Sequence, residues 1–328
     1  MPTLKSTNFK LVALTTGDPS GIGFEIASKA LLQLTIPPKT VFILYRDHKH
    51  HLRQPNYFKQ LDKKFLRLTF TSQESALVFF NFMSTGRTFP ENLLVDLALN
   101  TSAAQWVIDA STACLDKKIT SLVTGPLSKT LIKKDGFSFV GHTGAFRKLC
   151  PKAKLNMAFA GEKFNVLLTT DHIPLSRVPK ALTLKAILNS IHAARKFKHL
   201  IKSKKKIALV GLNPHAGEQG LLGTFEKNFL KKLPKDVVGP LVPDAAFLKK
   251  NWAKYSVYIC MYHDQGLIPF KLVHGQDSGV HITMGLPFVR TSVDHGTAFD
   301  IYNKNLANPA SMLDAIHLNL KLIRGRHV

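Results

Sequence analysis

Short runs of apolar and β-branched residues alternate with longer amphipathic segments along most of the chain, as in proteins whose strands alternate with helices. The runs that predict strands are Leu11–Leu14, Val41–Leu44, Ser121–Thr124, Asn165–Thr169, Ile207–Val210 and Val257–Met261. The segments that predict helices are Gly23–Leu34, Ser102–Lys117 and Leu182–Phe197, the last opening near Thr183 and ending in a basic turn. This alternation predicts an α/β protein with a largely parallel sheet.

Length and composition are those of a globular protein. The chain has 328 residues, of which 45% are hydrophobic, and this length suits one large domain or two domains. Apolar runs such as Ile207–Val210 are far shorter than the roughly 20 residues that a membrane helix needs. Residues 1–10 are polar and basic, and no signal-peptide core follows them. We therefore expect a cytoplasmic protein without a membrane partner.

The cysteines favour neither a disulfide framework nor a cysteine zinc site. Cys114, Cys150 and Cys260 are odd in number and widely spaced, and no two of them form a C-x-x-C pair. We expect them to be ordinary buried thiols.

The formal net charge of +24 has two interpretations: a solvated basic surface that attracts anionic substrates, or a surface for nucleic acid or membrane. Lysine runs such as Lys202–Lys206 and Lys231-Lys232 lack the interleaved aromatic residues of a single-strand platform. The spacing of a zinc finger is also missing from the sequence. We therefore favour the solvated surface and expect no nucleic-acid partner.

Three histidines follow predicted strands, at the positions where ligands bind in α/β folds. His172 comes after Asn165–Thr169, His215 after Ile207–Val210, and His263 after Val257–Met261. Neutral imidazoles are good ligands for zinc and similar metals, so these side chains are candidates for one divalent site. The alternative is that each is structural or merely exposed, since no compact pattern such as H-E-x-x-H supports a metal.

Several longer motifs resemble those of the 4-hydroxythreonine-4-phosphate dehydrogenase family. The resemblance runs in order from about Leu11 to Asp300, nearly the whole chain. The segments that carry it are Thr16–Gly23 (TGDPSGIG), Gly141–Thr143 (GHT), Asn213–Glu218 (NPHAGE), Tyr262–Gly266 (YHDQG) and Gly285–Ala298 (GLPFVRTSVDHGTA).

The resemblance implies a metal site and an assembly. In that family the histidines that match His172, His215 and His263 bind a divalent metal, for which we expect zinc, magnesium or cobalt. The ligands are shared across the interface of a homodimer, so the resemblance also implies an active site at a subunit interface. Asp171 stands where the family pattern leads us to expect threonine.

The family's contacts with its small phosphorylated substrate fall on five positions of this chain. These positions are His142, Thr143, Lys271, His281 and Arg290. Cationic and hydroxyl groups of this kind suit a phosphate and a carboxylate. Two of these regions depart from the pattern. This chain has His281 where the family usually has asparagine, and Gly144 where the family usually has glutamate.

The fold that the resemblance implies has two α/β/α domains with a cleft between them, similar to isocitrate and isopropylmalate dehydrogenases. We expect residues 1–125 and about 285–328 to form the first domain, and about 126–284 the second. A His-Gly-Thr-Ala segment contacts the adenosine end of the cofactor in those dehydrogenases, which makes His295, Gly296 and Thr297 candidates for binding NAD or NADP. The Gly17–Gly23 loop offers either a helix N-terminus for an anion or a tight turn in which Asp18 or Ser20 caps the helix.

The reaction implied is the oxidation of 4-phosphohydroxy-L-threonine to 2-amino-3-oxo-4-(phosphooxy)butanoate in pyridoxal 5′-phosphate biosynthesis. This product decarboxylates to 3-amino-2-oxopropyl phosphate. Asp264 and Asp244 are the candidates to orient metal ligands or relay a proton. Two alternatives stay open: a dehydrogenase of another phosphorylated four-carbon acid, such as threonate or erythronate phosphate, and a non-catalytic basic binding protein.

Overall fold

The structure is a computed structural model that describes residues 9–85, 89–139, 141–230, 233–275 and 278–324. The chain forms two compact units. The first unit comprises Met1–Ala153 with Leu286–Leu320, and the second comprises Lys154–Gly285 with Lys321–Val328. Residues 126–153, which the sequence analysis assigned to the second domain, lie in the first unit.

Helices and strands alternate along both units, as the sequence predicts. In chain order they are β1 (Lys10–Thr15), α1 (Gly23–Gln33), β2 (Thr40–Asp47), α2 (His50–Arg53), α3 (Pro55–Lys64), β3 (Leu66–Phe70), α4 (Gln73–Met83), β4 (Leu93–Leu99), α5 (Ala103–Leu115), β5 (Ser121–Thr124), α6 (Lys129–Lys134), α7 (Gly141–Leu149), β6 (Asn156–Ala160), β7 (Val166–Leu168), α8 (Val178–Ala181), α9 (Leu184–Leu200), β8 (Lys206–Val210), α10 (Phe225–Leu230), β9 (Val237–Leu241), α11 (Pro243–Ala246), β10 (Tyr255–Cys260), α12 (His263–His274), β11 (Val280–Met284), β12 (Val289–Ser292) and α13 (Ala310–Arg324). The α/β fold class is therefore confirmed.

The sheet of the first unit has the strand order β3-β4-β2-β1-β5-β12, and all neighbouring strands in it are parallel. Strand β1 is central and pairs along its whole length with Thr40–Tyr45 of β2. Side chains on both faces of β1 and β2 are buried, because helices cover both faces of a parallel sheet. This arrangement explains why the strands read as continuous apolar runs.

The sheet of the second unit is mixed, with the order β11-β6-β7-β10-β8-β9. Strands β7, β10, β8 and β9 are parallel, whereas β6 is antiparallel to both β11 and β7. The prediction of a largely parallel sheet is therefore confirmed, although β6 runs against its two neighbours in this unit. Parallel strands place their carboxyl ends at one edge, and the segments that leave β7, β10 and β8 carry the three candidate histidines.

Hydroxyl side chains fix the starts of several helices. Thr183 accepts a hydrogen bond from the main-chain N–H of Ala186, which confirms the predicted start of α9. Ser102 and Ser128 do the same for α5 and α6. Within the described part of the chain, every helix is too short or too polar to cross a membrane.

A buried ionic cluster joins three elements of the first unit. Asp96 in β4 is completely buried and accepts two hydrogen bonds from Arg46 of β2, at 2.7 and 2.8 Å. A third comes from Nη1 of Arg67 at 2.7 Å, and both guanidinium groups lie over the ring of Phe58. Arg67 also pairs with Asp62, whose side chain is 49% exposed.

Asp96→Asn is expected to lower the free energy of unfolding by about 3–5 kcal/mol, because it leaves the charge of Arg46 buried without its carboxylate. Urea denaturation followed by circular dichroism measures the loss. The matched control is Asp62→Asn, which should cost about 1 kcal/mol or less because that carboxylate is half exposed. Equal losses in the two variants would contradict the importance of the buried pair.

Candidate functional site

Two of the candidate histidines lie side by side in the second unit. The ring centroids of His172 and His263 are 4.9 Å apart. The main-chain N–H and the hydroxyl of Thr170 both donate to the carbonyl of Met261, at 3.2 and 2.8 Å. Because Thr170 and Met261 each precede a histidine by two residues, these bonds hold the two histidine segments together.

Asp264 orients the ring of His263. Its Oδ1 lies 2.6 Å from Nδ1 of His263, in the first turn of α12. A carboxylate at Nδ1 favours the tautomer that carries its proton there, and the lone pair of Nε2 is then available to a metal. Asp264 therefore has the geometry of an orienting residue. Asp244 lies exposed in the first turn of α11.

His215 opens a left-handed turn of backbone. The φ angles are 52° at His215, 54° at Ala216, 82° at Gly217, 42° at Glu218 and 56° at Gln219. Left-handed backbone costs roughly 1–2 kcal/mol for each residue other than glycine, so the turn needs support from its surroundings. Nδ1 of His215 lies 3.5 Å from Oε2 of Glu218, and both side chains are at least half exposed.

Support for this turn comes from Glu226 in α10, which is 1% exposed. Its carboxylate accepts the main-chain N–H groups of Leu212 and Asn213 at 2.8 and 2.7 Å, and the side-chain amide of Asn213 at 2.9 Å. Gly217 packs so closely that a Cβ there would lie 2.7 Å from the Glu226 carboxylate. Glu226 cannot be recognised from the sequence, because a single glutamate in a short helix has the pattern of a surface residue.

The donor chemistry of the histidine pair suits a divalent metal, since imidazole nitrogens bind zinc and cobalt well. His172 and His263 are close enough to contribute to one site. Among the described residues, no group of three or more histidine, cysteine or carboxylate side chains is placed to hold one ion. The structure thus brings together two of the three predicted ligands, and the complete three-histidine set stays a prediction.

In the first unit, the Gly17–Gly23 loop packs directly against main chain. A Cβ on Gly23 would lie 1.6 Å from the carbonyl oxygen of Thr16, and one on Gly17 would lie 2.1 Å from that of Pro126. Asp18 is 4% exposed, and its carboxylate accepts the N–H of Ser128, the residue that caps α6. Capping of α1 by Asp18 or Ser20 is therefore wrong, because Ile22 is its N-cap and makes no side-chain bond.

Arg290 is buried in the first unit, with 1% of its surface exposed. Its Nη2 donates to the hydroxyl of Thr124 at 2.5 Å, and its guanidinium lies 5.2 Å from the ring centre of Phe146. Burial lowers the pKa of Arg290 to about 9. This environment excludes a surface salt bridge and suits a cation that meets an anionic ligand.

The other substrate candidates of the first unit lie in α7. His142 and Thr143 are in its first turn, and the ring of His142 stacks over Phe146 at 6.4 Å between centroids. Phe146 thus lies near both His142 and Arg290. Gly144 gives room to Phe139, since a Cβ at position 144 would lie 3.2 Å from the Cβ of that residue. Glycine at position 144 therefore fits the close approach of Phe139.

In the second unit, Lys271 is exposed on α12. His281 lies on β11 opposite Phe159 of β6, and the two rings are 5.1 Å apart. A stacked ring at position 281 has a packing role that asparagine would not fill.

The cofactor candidates follow β12 and contact the Gly17–Gly23 loop. The carbonyl of Thr297 accepts the N–H of Ile22 at 3.0 Å, and a Cβ on Gly21 would lie 2.9 Å from that oxygen. His295 lies beside Gly296, with its Nδ1 3.0 Å from the Gly296 carbonyl. The structure therefore brings together the two loops that sequence analysis considered for a nucleotide or an anion.

Known proteins are similar to this chain over nearly its full length. A family model described as pyridoxal phosphate biosynthetic protein PdxA matches residues 84–319. The 4-hydroxythreonine-4-phosphate dehydrogenase of Sulfurihydrogenibium sp. is 35% identical over 96% of this chain and 99% of its own length. The protein of the same name from Aquifex aeolicus is 36% identical over 94% of this chain and 97% of its own.

Solved structures agree with these matches. A putative 4-hydroxythreonine-4-phosphate dehydrogenase from Salmonella typhimurium has a TM-score of 0.76 and 30% identity, covering 96% of this chain and all (100%) of its own. A β-decarboxylating dehydrogenase from Thermococcus kodakarensis has a TM-score of 0.50 and 13% identity, covering 96% of this chain and 84% of its own. The second likeness concerns the fold alone and agrees with the fold that the sequence motifs imply.

The Asp18 carboxyl is expected to make stability depend on pH. Burial, more than the charge of Asp135, raises its pKa from 3.8 to about 6, although the Ser128 N–H opposes the shift. Between about pH 4 and 6 the folded protein therefore keeps the proton of Asp18, whereas the unfolded chain has released it. The free energy of unfolding falls as the pH rises through that window. Asp18→Asn keeps an acceptor for Ser128 and should be more stable than the original protein by up to about 3 kcal/mol at pH 7.

Urea denaturation at pH 4.5, 5.5 and 7 measures this difference. The control is Asp300→Asn, which changes an exposed carboxylate of the same unit and should leave the pH profile as it is. An unchanged profile in Asp18→Asn would show that the carboxyl has an ordinary pKa.

Proposed function

The chain belongs to the PdxA family of pyridoxal phosphate biosynthetic proteins, and we propose on this basis that it is a 4-hydroxythreonine-4-phosphate dehydrogenase. The reaction is the oxidation of 4-phosphohydroxy-L-threonine by NAD or NADP to 2-amino-3-oxo-4-(phosphooxy)butanoate. This β-keto acid loses carbon dioxide to give 3-amino-2-oxopropyl phosphate. The observation that carries the proposal is the similarity to named dehydrogenases over more than nine-tenths of the chain.

We propose that His172, His215 and His263 hold a divalent metal, which is zinc, magnesium or cobalt. Such an ion acts as a Lewis acid toward the substrate's hydroxyl and carbonyl oxygens. The closeness of His172 and His263 supports two of these ligands. Asp264 holds the Nδ1 proton of His263 and so presents Nε2 as the ligand atom.

For the substrate, we propose that cationic and polar side chains bind the phosphate and the carboxylate. These side chains are His142, Thr143, Lys271, His281 and Arg290. Arg290 is the best supported of these residues. It is buried, and a guanidinium that is removed from water attracts an anion more strongly than one in water. Thr124 fixes one of its amino groups and so limits the directions in which the remaining N–H groups point.

The nicotinamide cofactor is proposed to bind at His295, Gly296 and Thr297. The contact of Thr297 with Ile22 supports this site, because it places these residues beside the N-terminus of α1. Free main-chain N–H groups at a helix N-terminus attract phosphate.

A homodimer in the cytoplasm is the proposed form of the enzyme. Each of the three histidine segments in the second unit carries an exposed aliphatic side chain, which supports a protein interface there. These side chains are Leu175 at 67% exposure, Leu221 at 84%, and Ile268 and Leu272 of α12 at 66% and 84%. Ile268 and Leu272 are four residues apart and so share one face of the helix.

His281 and Gly144 favour a second candidate, a dehydrogenase of threonate or erythronate phosphate. Both residues depart from the family pattern at or beside proposed substrate contacts. An imidazole that stacks on Phe159 offers ring nitrogens to a substrate where asparagine would offer an amide.

Incubation of the purified protein with the metal, NAD or NADP and 4-phosphohydroxy-L-threonine is expected to produce reduced cofactor and carbon dioxide. His263→Ala and His215→Ala should lose both bound metal and turnover, whereas His192→Ala, which changes an exposed histidine of α9, should keep both. Turnover with threonate phosphate alone would select the second candidate. Salt-sensitive retention on DNA without turnover would favour the basic binding protein. Unchanged metal content in both His263→Ala and His215→Ala would refute the metal proposal.

Leu272→Glu is expected to convert the dimer into a monomer that keeps its circular dichroism spectrum, because a carboxylate is costly to bury in an apolar interface. Sedimentation velocity measures the change. Leu52→Glu makes the same substitution at a side chain of the first unit that is 71% exposed, and it should leave the dimer intact. A dimeric Leu272→Glu protein would place the interface elsewhere.

A further inference from the structure

Met261 connects two of the histidine segments through its main chain. It is completely buried at the end of β10, two residues before His263. Its carbonyl accepts the two hydrogen bonds of Thr170, which belongs to the segment of His172. Its N–H donates at 2.6 Å to Oε1 of Gln265, the third residue of α12. In a capping box, a glutamine at the third helical position bonds to the N–H of the N-cap residue, which is Tyr262 here. The Gln265 bond instead reaches one residue further back, to Met261.

The other end of the Gln265 amide reaches the segment of His215. Its Nε2 donates at 2.6 Å to the carbonyl oxygen of Gly211, the first residue after β8. A single side chain thus bonds to the ends of two neighbouring parallel strands, β10 and β8. Neither bond goes to Tyr262, the N-cap residue of α12, and the second bond connects α12 to the segment of His215.

Between Gly211 and His215 the main chain has little freedom. Glu226 accepts the N–H groups of the two residues that follow Gly211, and Pro214 restricts the next one. The N–H of Gly211 itself donates to the carbonyl of Leu241 in β9 at 2.8 Å. Gly211 and the residues up to Pro214 therefore form one hydrogen-bonded segment that leads directly into His215.

We propose that Gln265 is a positioning residue that fixes the His215 segment relative to the His263 segment before any ligand binds. The two hydrogen bonds of its amide make both segments parts of one bonded frame. The significance of this frame for metal binding rests on the proposed function, whereas the frame itself is a property of the protein without ligands.

Gln265→Glu separates the two roles of the side chain. A carboxylate can still accept the N–H of Met261 in front of α12, but it has no N–H for the carbonyl of Gly211 and repels that oxygen. In the metal-free protein, hydrogen exchange measured by mass spectrometry should then become about tenfold faster in residues 211–217 and remain slow in α12. The affinity for Co²⁺, followed by its visible absorption, should fall about 10- to 100-fold, as it does when residues that hold metal ligands are changed.

The matched control is Gln219→Glu, which introduces the same charge within the left-handed turn and leaves the Gln265 bonds intact. It should change neither hydrogen exchange nor Co²⁺ affinity to the same extent. If Gln265→Glu does not fold, Gln265→Met replaces it, removes both bonds without adding charge, and should speed exchange in both segments.

Exchange that changes only in residues 261–266 would overturn the proposal, because Gln265 would then act only on the segment that leads into α12. Faster exchange in residues 211–217 would support it. If the original protein binds no Co²⁺, the metal part of the proposed function fails, and the exchange data still decide the role of Gln265.

Discussion

Main-chain groups at the ends of parallel strands have no further ladder partners, yet those of this protein are buried and must be hydrogen-bonded. In the second unit, side chains provide the missing partners where β7, β10 and β8 end. Thr170 bonds to Met261, Gln265 to Met261 and Gly211, and Glu226 to the residues after Gly211. The positions of the candidate histidines depend on these bonds, because each histidine follows a residue that is held in this way.

In the first unit, a carboxylate and close main-chain packing provide the partners for main-chain groups beyond the strand ends. Asp18 accepts the N–H at the start of α6, and the glycines of its loop let the main chain approach Thr16 and Pro126. Arg290 lies on the neighbouring part of the sheet, next to Thr124 at the end of β5. The three candidate metal ligands and the cofactor candidates thus follow strand ends, whereas Arg290 and His281 lie inside β12 and β11.

Much of the fold follows from local sequence, and the exceptions have physical causes. β5 has the predicted bounds, and Thr183 caps α9 as expected. β4 and β12 were missed because charged residues, Asp96 and Arg290, lie inside them, and only long-range partners make their burial possible. The three histidines were candidates from their positions after predicted strands, and the substrate and cofactor residues came from motif resemblance. Glu226 and Gln265 act through contacts that no local pattern specifies.

The left-handed turn after Pro214 limits how this region can evolve. Residues 215–219 adopt the handedness that is natural for mirror-image amino acids. Glycine, asparagine and aspartate tolerate this conformation, while β-branched side chains are almost excluded from it. Substitution of valine, isoleucine or threonine into the turn is therefore disfavoured for reasons of chirality alone, whether or not the side chain there ever touches a ligand.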